Sequence, residues 1–356
     1  MKVSVIKERY MHEKRIAIYP AVAKKIINLG LNLCLEKGIG NSLYIDDQEF
    51  TRVGAYMSSV PLEILADTDI LLKVRFSDNN IENELNELNL LPEGSIIIGL
   101  LDPYNNQQII EHLARRNITS FALELMPNII QSEPVNAIVM QDGLAGYRAM
   151  LEAVYLREKV VNLMVTPVGT LIPLKILVIG ANSAGMQAIA LAKRLGAIVD
   201  VFDTIEASTL VKKSLGVDFI EDISDITKYD IVLCTLNISS QNTNIILTEK
   251  MVVSMKPGSV IGDFVGKEGG NCILTQKDQL IHYSGVKIIG YSNIIHRLAY
   301  DASKLYAESL LNFILLIYNT YTKEIEINLA DEIIKNALLT YNGQIVNKNL
   351  KHKYYE

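Results

Sequence analysis

The sequence has few cysteines and no spacing typical of a metal site. Only three of its 356 residues are cysteine, namely Cys34, Cys234 and Cys272. An odd, sparse set without a CxxC pair predicts neither a disulfide framework nor a zinc site. The five histidines are scattered, without an HxxxH or HExxH spacing. We therefore expect no metal site and a reducing, cytoplasmic setting.

A basic surface and a long apolar run are also missing. The formal charge of −6 argues against a nucleic-acid partner, because such proteins present a basic face. The first ten residues lack the apolar core of a signal peptide. The longest apolar stretch, Ser309 to Tyr318, is far shorter than the ~20 residues that span a bilayer. We expect no transmembrane segment in this chain.

What is present predicts an α/β protein. Apolar residues make up 49% and charged residues 21% of the chain, the mixture of a packed protein of about two domains. Strand-like and helix-like segments alternate over the first ~125 residues, which predicts a mostly parallel sheet. Two long helices are predicted further on, from Leu144 to Met164 and from about Leu298 to Tyr318.

The strongest chemical signal lies between residues 175 and 203. This segment predicts a buried strand, a glycine turn, a helix, a second strand and a terminal acid. Gly180 permits the tight turn, and Gly185 lets the helix approach the strand. The helix N-terminus offers N–H groups to a pyrophosphate. Asp203 can accept hydrogen bonds from ribose hydroxyls and would repel a 2′-phosphate, which favours NAD over NADP.

One position departs from the GxGxxG pattern, because Asn182 replaces the middle glycine. We expect its side chain to occupy space that a pyrophosphate needs, although asparagine tolerates unusual backbone angles. The alternative interpretation is a Rossmann-like domain kept as a scaffold.

The predicted fold is two Rossmann-like domains with mostly parallel sheets, linked by the two long helices. Residues 1–135 with about 320–356 are predicted to form a Rossmann-like (flavodoxin-like) domain. Residues 136–319 are predicted to form the NAD(H)-binding domain with the linking helices.

Several strings in order resemble domain I, in the alpha subunit of proton-translocating NAD(P) transhydrogenase, and, more distantly, alanine dehydrogenase. These strings are Lys7-Glu8-Arg9, Glu13 to Ala17, Pro20, Leu72 to Arg75, Leu91 to Gly94, Glu124 to Pro127, Leu144 to Arg148, Met255 to Val260, Gly269 to Cys272, and Asn293 with Arg297, Asp301, Ala302 and Ser303.

The resemblance implies a cytoplasmic homodimer that is peripheral to the inner membrane. It implies that NAD(H) is held here while a partner domain holds NADP(H), and that hydride passes directly between the two nicotinamide rings. A separate membrane subunit would couple this transfer to proton movement. The physical task is to position two rings, which needs no metal or covalent nucleophile.

The resemblance also implies site residues. The cofactor-binding set comprises Gly180, Ala181, Asn182, Ser183, Ala184, Gly185, Asp203, Thr204, Cys234, Thr235 and Leu236. Arg15 and Lys73 match the residues that hold the keto acid in alanine dehydrogenase, and surface or interdomain ion pairing is their alternative role. The catalytic histidine of that enzyme corresponds to Asp102, which is followed by Pro103 as in transhydrogenases.

The chain departs from the family where the nicotinamide is held. The family's Arg, Gln, Asp and Ser correspond to Asn128, Glu133, Asn136 and Val139. A segment with a mobile, Tyr-containing loop is reduced to the link 223–228, and the Gly/Pro-rich turn after the strand ending at Cys234 becomes the polar run 237–242.

Three functions follow. The first is a working NAD(H)-binding transhydrogenase subunit, with Asn128, Glu133 and Asn136 in the nicotinamide-positioning loop. The second is a non-catalytic scaffold or sensor of the same fold. The third is a soluble amino-acid dehydrogenase, which the absence of histidine at position 102 disfavours.

Overall fold

The computed structural model describes residues 1–10, 13–76, 81–127, 129–203, 215–236, 245–264 and 270–355. The chain divides into two compact units. The first unit comprises Met1–Met140 and Ala299–Glu356, and the second comprises Gln141–Leu298.

The first unit is built on an eight-stranded sheet. Its strands are β1 (Lys2–Val5), β2 (Asn32–Glu36), β3 (Tyr56–Ser58), β4 (Ile70–Arg75), β5 (Ile96–Leu100), β6 (Thr119–Ala122), β18 (Leu338–Tyr341) and β19 (Gln344–Ile345). Six parallel strands lie in the order β3-β2-β1-β4-β5-β6, with β18 and β19 added antiparallel beyond β6. This is the Rossmann order 3-2-1-4-5-6 and differs from the predicted flavodoxin-like order.

Helices cover both faces of this sheet. They are α1 (Pro20–Asn28), α2 (Asp47–Arg52), α3 (Pro61–Leu65), α4 (Ile81–Leu88), α5 (Gln107–Arg115), α9 (Ala299–Ile317), α10 (Glu332–Ala337) and α11 (Lys348–Tyr355). Alternate residues of each strand enter two separate apolar clusters. In β4, for example, Ile70 and Leu72 enter one cluster and Leu71 enters the other, as the two-residue period of a strand requires.

The second unit contains a seven-stranded sheet. Its strands are β9 (Lys175–Ile179), β10 (Ile198–Phe202), β11 (Asp218–Phe219), β12 (Ile231–Cys234), β13 (Val260–Asp263), β14 (Leu280–Tyr283) and β15 (Val286–Ile289), in the order β11-β10-β9-β12-β13-β15-β14. All neighbours are parallel except the edge strand β14, so β9 to β13 with β15 repeat the order 3-2-1-4-5-6. The helices α6 (Ala137–Arg157), which begins in the first unit, α7 (Ser183–Arg194) and α8 (Glu249–Ser254) accompany them.

Two small hairpins complete the described elements. Strands β16 (Tyr318–Asn319) and β17 (Glu324–Ile325) pair in the first unit. Strands β7 (Met164–Thr166) and β8 (Gly169–Leu171) pair in the second unit and form a sheet of their own. Val165 is 74% exposed and Val168 is 98% exposed, so the apolar side chains of this second hairpin lie in solvent.

The first long helix differs from its predicted bounds. It runs from Ala137 to Arg157 and ends before Glu158, whose φ of 53° is left-handed. The predicted last residue, Met164, instead begins the exposed hairpin. Pro167 and Gly169, taken from the sequence as breaks in the chain, lie at the turn of this hairpin.

The unit limits also differ from the domain bounds predicted at residues 135 and 319. Helix α9 belongs to the first unit because its side chains Tyr306, Leu310 and Phe313 enter a core cluster of the eight-stranded sheet. Within the described residues, no helix is both long and apolar enough to cross a membrane.

Helices α6 and α7 approach each other at a glycine. A Cβ at Gly146 would overlap the carbonyl oxygen of Ala184 in the first turn of α7. Gly143, one turn earlier in α6, has more room, since a Cβ there would lie 3.4 Å from the Cγ of Gln187. The two glycines therefore offer a matched pair for testing this contact.

We expect Gly146→Ala to destabilise the second unit by about 1–3 kcal/mol, because the added methyl forces α7 away. Gly143→Ala should be neutral or stabilising by up to ~1 kcal/mol, since alanine favours a helix. Urea unfolding monitored by circular dichroism measures both. Equal stability of the two variants would show that the helices do not meet at Gly146.

Candidate functional site

The carboxyl ends of three strands of the second unit lie side by side. Phe202 of β10 pairs with Ile179 of β9, and Ile179 pairs with Cys234 of β12 on its other side. The residues that follow are Asp203, Gly180 and Thr235. Strand β9 lies where the strand order reverses, which is where ligands bind in open α/β sheets.

Gly180 forms the turn between β9 and α7. Its φ of 104° is in the region that favours glycine. A Cβ at this position would lie 2.7 Å from the backbone nitrogen of Leu236 and 2.8 Å from Oγ1 of Thr235. Both the backbone conformation and the available space therefore require glycine.

Gly185 brings α7 onto the end of β9. A Cβ at this residue would overlap the carbonyl oxygen of Gly180. Thr235 joins the same contact from β12, because its hydroxyl donates a hydrogen bond of 2.9 Å to the Gly180 carbonyl. The roles predicted for the two glycines from their spacing agree with this geometry.

The Asn182 side chain is engaged by the protein. Its Oδ1 accepts a hydrogen bond of 3.0 Å from the Gly185 N–H, which makes Asn182 the N-cap of α7. Its Nδ2 donates to the carbonyl oxygen of Thr235. The φ of −69° is ordinary for a cap residue. Asn182 therefore takes up one N–H group at the start of α7.

Asp203 lies against the same turn. Its Oδ2 accepts a hydrogen bond of 2.5 Å from the backbone N–H of Ala181. The structure thus places the acid beside the glycine turn, as the sequence pattern of dinucleotide sites predicts.

The other predicted cofactor residues have different surroundings. Ser183 and Ala184 are the first residues of α7, where N–H groups precede any intrahelical partner. The Cys234 side chain is fully buried in the core, and burial raises its pKa well above the usual range. Leu236 packs against the same apolar cluster. Thr204 lies outside the described residues.

The residues at the predicted nicotinamide positions do not form a common polar set. Asn128 lies outside the described residues, and Glu133 is exposed. Asn136 is buried, and its Oδ1 accepts a hydrogen bond of 3.2 Å from the N–H of Val139 in the first turn of α6. The structure therefore gives Asn136 a capping role.

Arg15 and Lys73 lie inside the first unit, 6% and 0% exposed, and are not surface residues. The Arg15 guanidinium contacts both carboxylate oxygens of Glu13, at 2.9 and 2.7 Å. Lys73 on β4 forms an ion pair with the buried Glu84 on α4. Burial acts to lower the pKa of Lys73, but Glu84 and Glu8 outweigh it, so the pKa is raised and the lysine is charged.

Two further carboxyl groups lie at the carboxyl edge of this sheet. Glu8, which follows β1, accepts hydrogen bonds from the backbone N–H groups of Val74, at 2.6 Å, and Arg75, at 3.2 Å. Glu124, which follows β6, accepts one from the N–H of Asp102. Burial raises the pKa of each glutamate to about 7, despite these hydrogen bonds.

Asp102 occupies the position that corresponds to the histidine of alanine dehydrogenase. Its φ is 45°, and its Oδ1 accepts a hydrogen bond of 2.9 Å from the Asn105 side chain. No group of three or more acids, cysteines or histidines suited to a metal ion occurs among the residues that the structure describes.

Comparison with known proteins agrees with both halves of the chain. The model of the alanine dehydrogenase/PNT N-terminal domain matches residues 4–145, and that of the C-terminal domain matches residues 149–348. The chain belongs to the alanine dehydrogenase/PNT family. Two relatives within it are described as the first part of subunit alpha of NAD(P) transhydrogenase. One, from Rickettsia prowazekii, is 37% identical over 99% of this chain and 98% of its own length. The other, from Rhodospirillum rubrum, is 35% identical over 98% and 99%.

Solved structures of the family have the same fold. A transhydrogenase from Sinorhizobium meliloti matches with a TM-score of 0.86 at 33% identity, covering 98% of this chain and 100% of that one. An L-alanine dehydrogenase matches with the same TM-score at 19% identity, covering 99% and 98%, and shows the fold alone. The predicted α/β class with two Rossmann-like domains and the predicted family are confirmed.

Several residues of this family member escaped the sequence interpretation as site residues. Glu13 and Glu84 neutralise Arg15 and Lys73, and only the proximity of Glu13 to Arg15 in the chain could have suggested one of these pairs. Gly146 was visible as a glycine inside a predicted helix. Its close contact with α7 needs the structure.

We expect the first unit to lose stability as the pH rises from 6 to 8. The pKa of Glu124 is raised from 4.5 to about 7, so the folded state favours the neutral carboxyl, and this contribution is lost as the pH rises through 7. Glu124→Gln should reduce the fall in unfolding free energy by about 1 kcal/mol. Chemical unfolding at several pH values measures it.

The exposed Glu133 provides the control, because Glu133→Gln should retain the pH dependence of the unchanged protein. If Glu124→Gln and the unchanged protein lose the same stability between pH 6 and 8, Glu124 is ionised throughout that range.

Proposed function

We propose that this chain is the NAD(H)-binding subunit of a proton-translocating NAD(P) transhydrogenase. The observation that carries the proposal is the meeting of Gly180, the start of α7 and Asp203 at the reversal of strand order. Its support from relatives is the full-length similarity to the transhydrogenase alpha chains of Rickettsia and Rhodospirillum.

The residues of the turn suit a dinucleotide. The Ser183 and Ala184 N–H groups and the positive end of α7 favour a pyrophosphate. The Asp203 carboxylate can turn from the Ala181 N–H to the ribose hydroxyls and disfavours a 2′-phosphate. Because the Asn182 side chain is held by Gly185 and Thr235, its bulk is directed into protein contacts.

The chemistry needs little from this chain beyond binding and orientation. Bound NADH supplies the hydride, and a partner domain that holds NADP⁺ receives it. The protein's contribution is to fix the dinucleotide along the carboxyl edge of the sheet, so that its reactive ring has a constant position. Association with a membrane subunit and a cytoplasmic position peripheral to the inner membrane belong to the same proposal.

The proposal also includes a homodimer, and the exposed hairpin supports it. Residues 160–174 contain no charged side chain. A two-stranded sheet is marginally stable in water by itself, so its apolar surface calls for a cover. A second copy brings the same uncharged hairpin and forms a two-fold interface with it.

The competing function is a scaffold or sensor that has lost hydride transfer. Asn136 is used as a helix cap and Glu133 faces solvent, so neither replaces the family's nicotinamide ligands. The match to the Rickettsia relative spans 383 positions against 356 residues here, a difference of 27, which supports a shortened loop in this chain.

An amino-acid dehydrogenase is less well supported. A keto acid would need the Arg15 and Lys73 cations, and Glu13 and Glu84 neutralise both within the first unit. Displacing a buried partner carboxylate is costly because it leaves that charge unpaired.

We expect Asp203→Asn to weaken NADH binding by about 10- to 100-fold, the cost of losing charge-assisted hydrogen bonds. The amide oxygen can still accept from Ala181, so the turn should be retained. Calorimetric titration with NADH measures the affinity, and Asp218→Asn, an exposed change in the same sheet, is the control.

The same proteins, reconstituted with NADP(H)-binding and membrane subunits, test hydride transfer to an NAD analogue. Tight NADH binding without transfer would favour the scaffold. Absence of NADH binding by the unchanged protein would contradict both nucleotide-based functions.

We expect the protein to be dimeric and Val165→Lys to weaken the dimer at least tenfold, because a charge would be buried at the hairpin contact. Sedimentation equilibrium measures the dissociation constant. Leu62→Lys alters an exposed apolar residue of the first unit and should leave it unchanged. A monomeric unchanged protein at micromolar concentration would refute the dimer.

A further inference from the structure

A second polar group lies along the carboxyl edge of the nucleotide-binding sheet. Asp263 is the last residue of β13 and pairs in register with Cys234 of β12, which pairs with Ile179 of β9. The three residues therefore lie at one level across adjacent strands. Asp263 lies two strand spacings, about 10 Å, from the strand that carries the glycine turn.

Asp263 organises the segment that follows Gly270. Its carboxylate accepts hydrogen bonds from the N–H groups of Asn271, at 3.1 Å, and Cys272, at 2.9 Å, and from the Thr275 hydroxyl, at 2.7 Å. A Cβ at Gly270 would overlap this carboxylate. A buried acid thus fixes the backbone of this segment at the end of β13.

Asn271 is held firmly by its backbone. Its carbonyl oxygen accepts hydrogen bonds from the N–H groups of Ile246 and Leu247, at 2.8 and 2.9 Å. The residue is 3% exposed, yet its side-chain Oδ1 has no hydrogen-bond partner in the described part of the chain. Buried polar atoms are nearly always paired, so an unpaired acceptor in a fixed position indicates a ligand that supplies the donor.

The chemistry of the missing donor is constrained. An amide oxygen accepts from a neutral N–H or O–H group and does not favour an anion. A dinucleotide with its adenosine ribose at Asp203 and its diphosphate at α7 extends across β12 towards β13. Its nicotinamide half carries the carboxamide N–H₂ and the second ribose hydroxyls, which are donors of the required kind.

We propose that the Asn271 Oδ1 accepts a hydrogen bond from the nicotinamide-side half of bound NAD(H). This inference rests on the proposed NAD(H)-binding function and adds a ligand residue to it. Asn271 would hold the reactive half of the dinucleotide in a chain whose Asn136 is engaged as a helix cap.

The test uses the full chain with Asn271→Leu, which removes the acceptor at similar size. We expect the dissociation constant for NADH to rise about tenfold, the effect of one hydrogen bond, and that for AMP to stay unchanged. The melting temperature without nucleotide should be unchanged or higher, since an unpaired acceptor is removed. If leucine prevents folding, Asn271→Ala removes the acceptor without added bulk.

ADP-ribose separates the two donors. An unchanged affinity for ADP-ribose assigns the bond to the carboxamide, and a weakened affinity assigns it to the ribose hydroxyls. Both results support the proposal. Asn106→Leu is the matched control, because Asn106 is similarly buried but its Nδ2 donates to the Leu101 carbonyl. This control should lower the melting temperature and leave NADH binding unchanged.

Unchanged NADH affinity in Asn271→Leu would overturn the inference and leave the NAD(H)-binding function intact. An equal loss of NADH and AMP binding, together with a lower melting temperature, would show a purely structural role and also overturn it. Failure of the unchanged protein to bind NADH would remove the proposed function itself, and this inference with it.

Discussion

The second unit depends on the close approach of a helix start to a strand end. Gly185 of α7 lies against the carbonyl oxygen of Gly180, with no room for a side chain between them. Thr235 and Asn182 hold the same contact from the sides through hydrogen bonds. Because this contact fixes α7, its N–H groups and its dipole have a constant direction at the edge of the sheet.

The two units share one strand order but contain different groups where that order reverses. In the second unit the point is a glycine turn followed by a helix start. In the first unit, Glu8 follows β1 and its carboxyl accepts the N–H groups of Val74 and Arg75 on β4. The same fold therefore offers amide donors in one unit and satisfies them internally in the other.

Much of the fold was predictable because its strands are buried and its turns carry glycine. The strand Ile231–Cys234 has its predicted bounds, and β9, α7 and β10 differ from theirs by about one residue. Helix ends were less predictable. The early start of α6 depends on Asn136 as a cap, and the sequence interpretation had assigned this residue to a nicotinamide loop.

The candidate site divides along the same line. Gly180, Gly185 and Asp203 were predictable because their spacing alone encodes the turn. The engagement of Asn182 by Thr235, 53 residues away in sequence, was not, because it depends on the pairing of β9 with β12. The neutralisation of Lys73 by Glu84 likewise depends on where α4 packs.

The carboxyl group of Glu8 has a consequence for ligand stoichiometry. The backbone donors that a diphosphate would seek in the first unit already bind this acid, and Glu13, Glu84 and Glu124 add further acidic groups nearby. A duplicated Rossmann architecture is therefore compatible with a single dinucleotide per polypeptide, carried by the half whose turn has glycine in place of an acid.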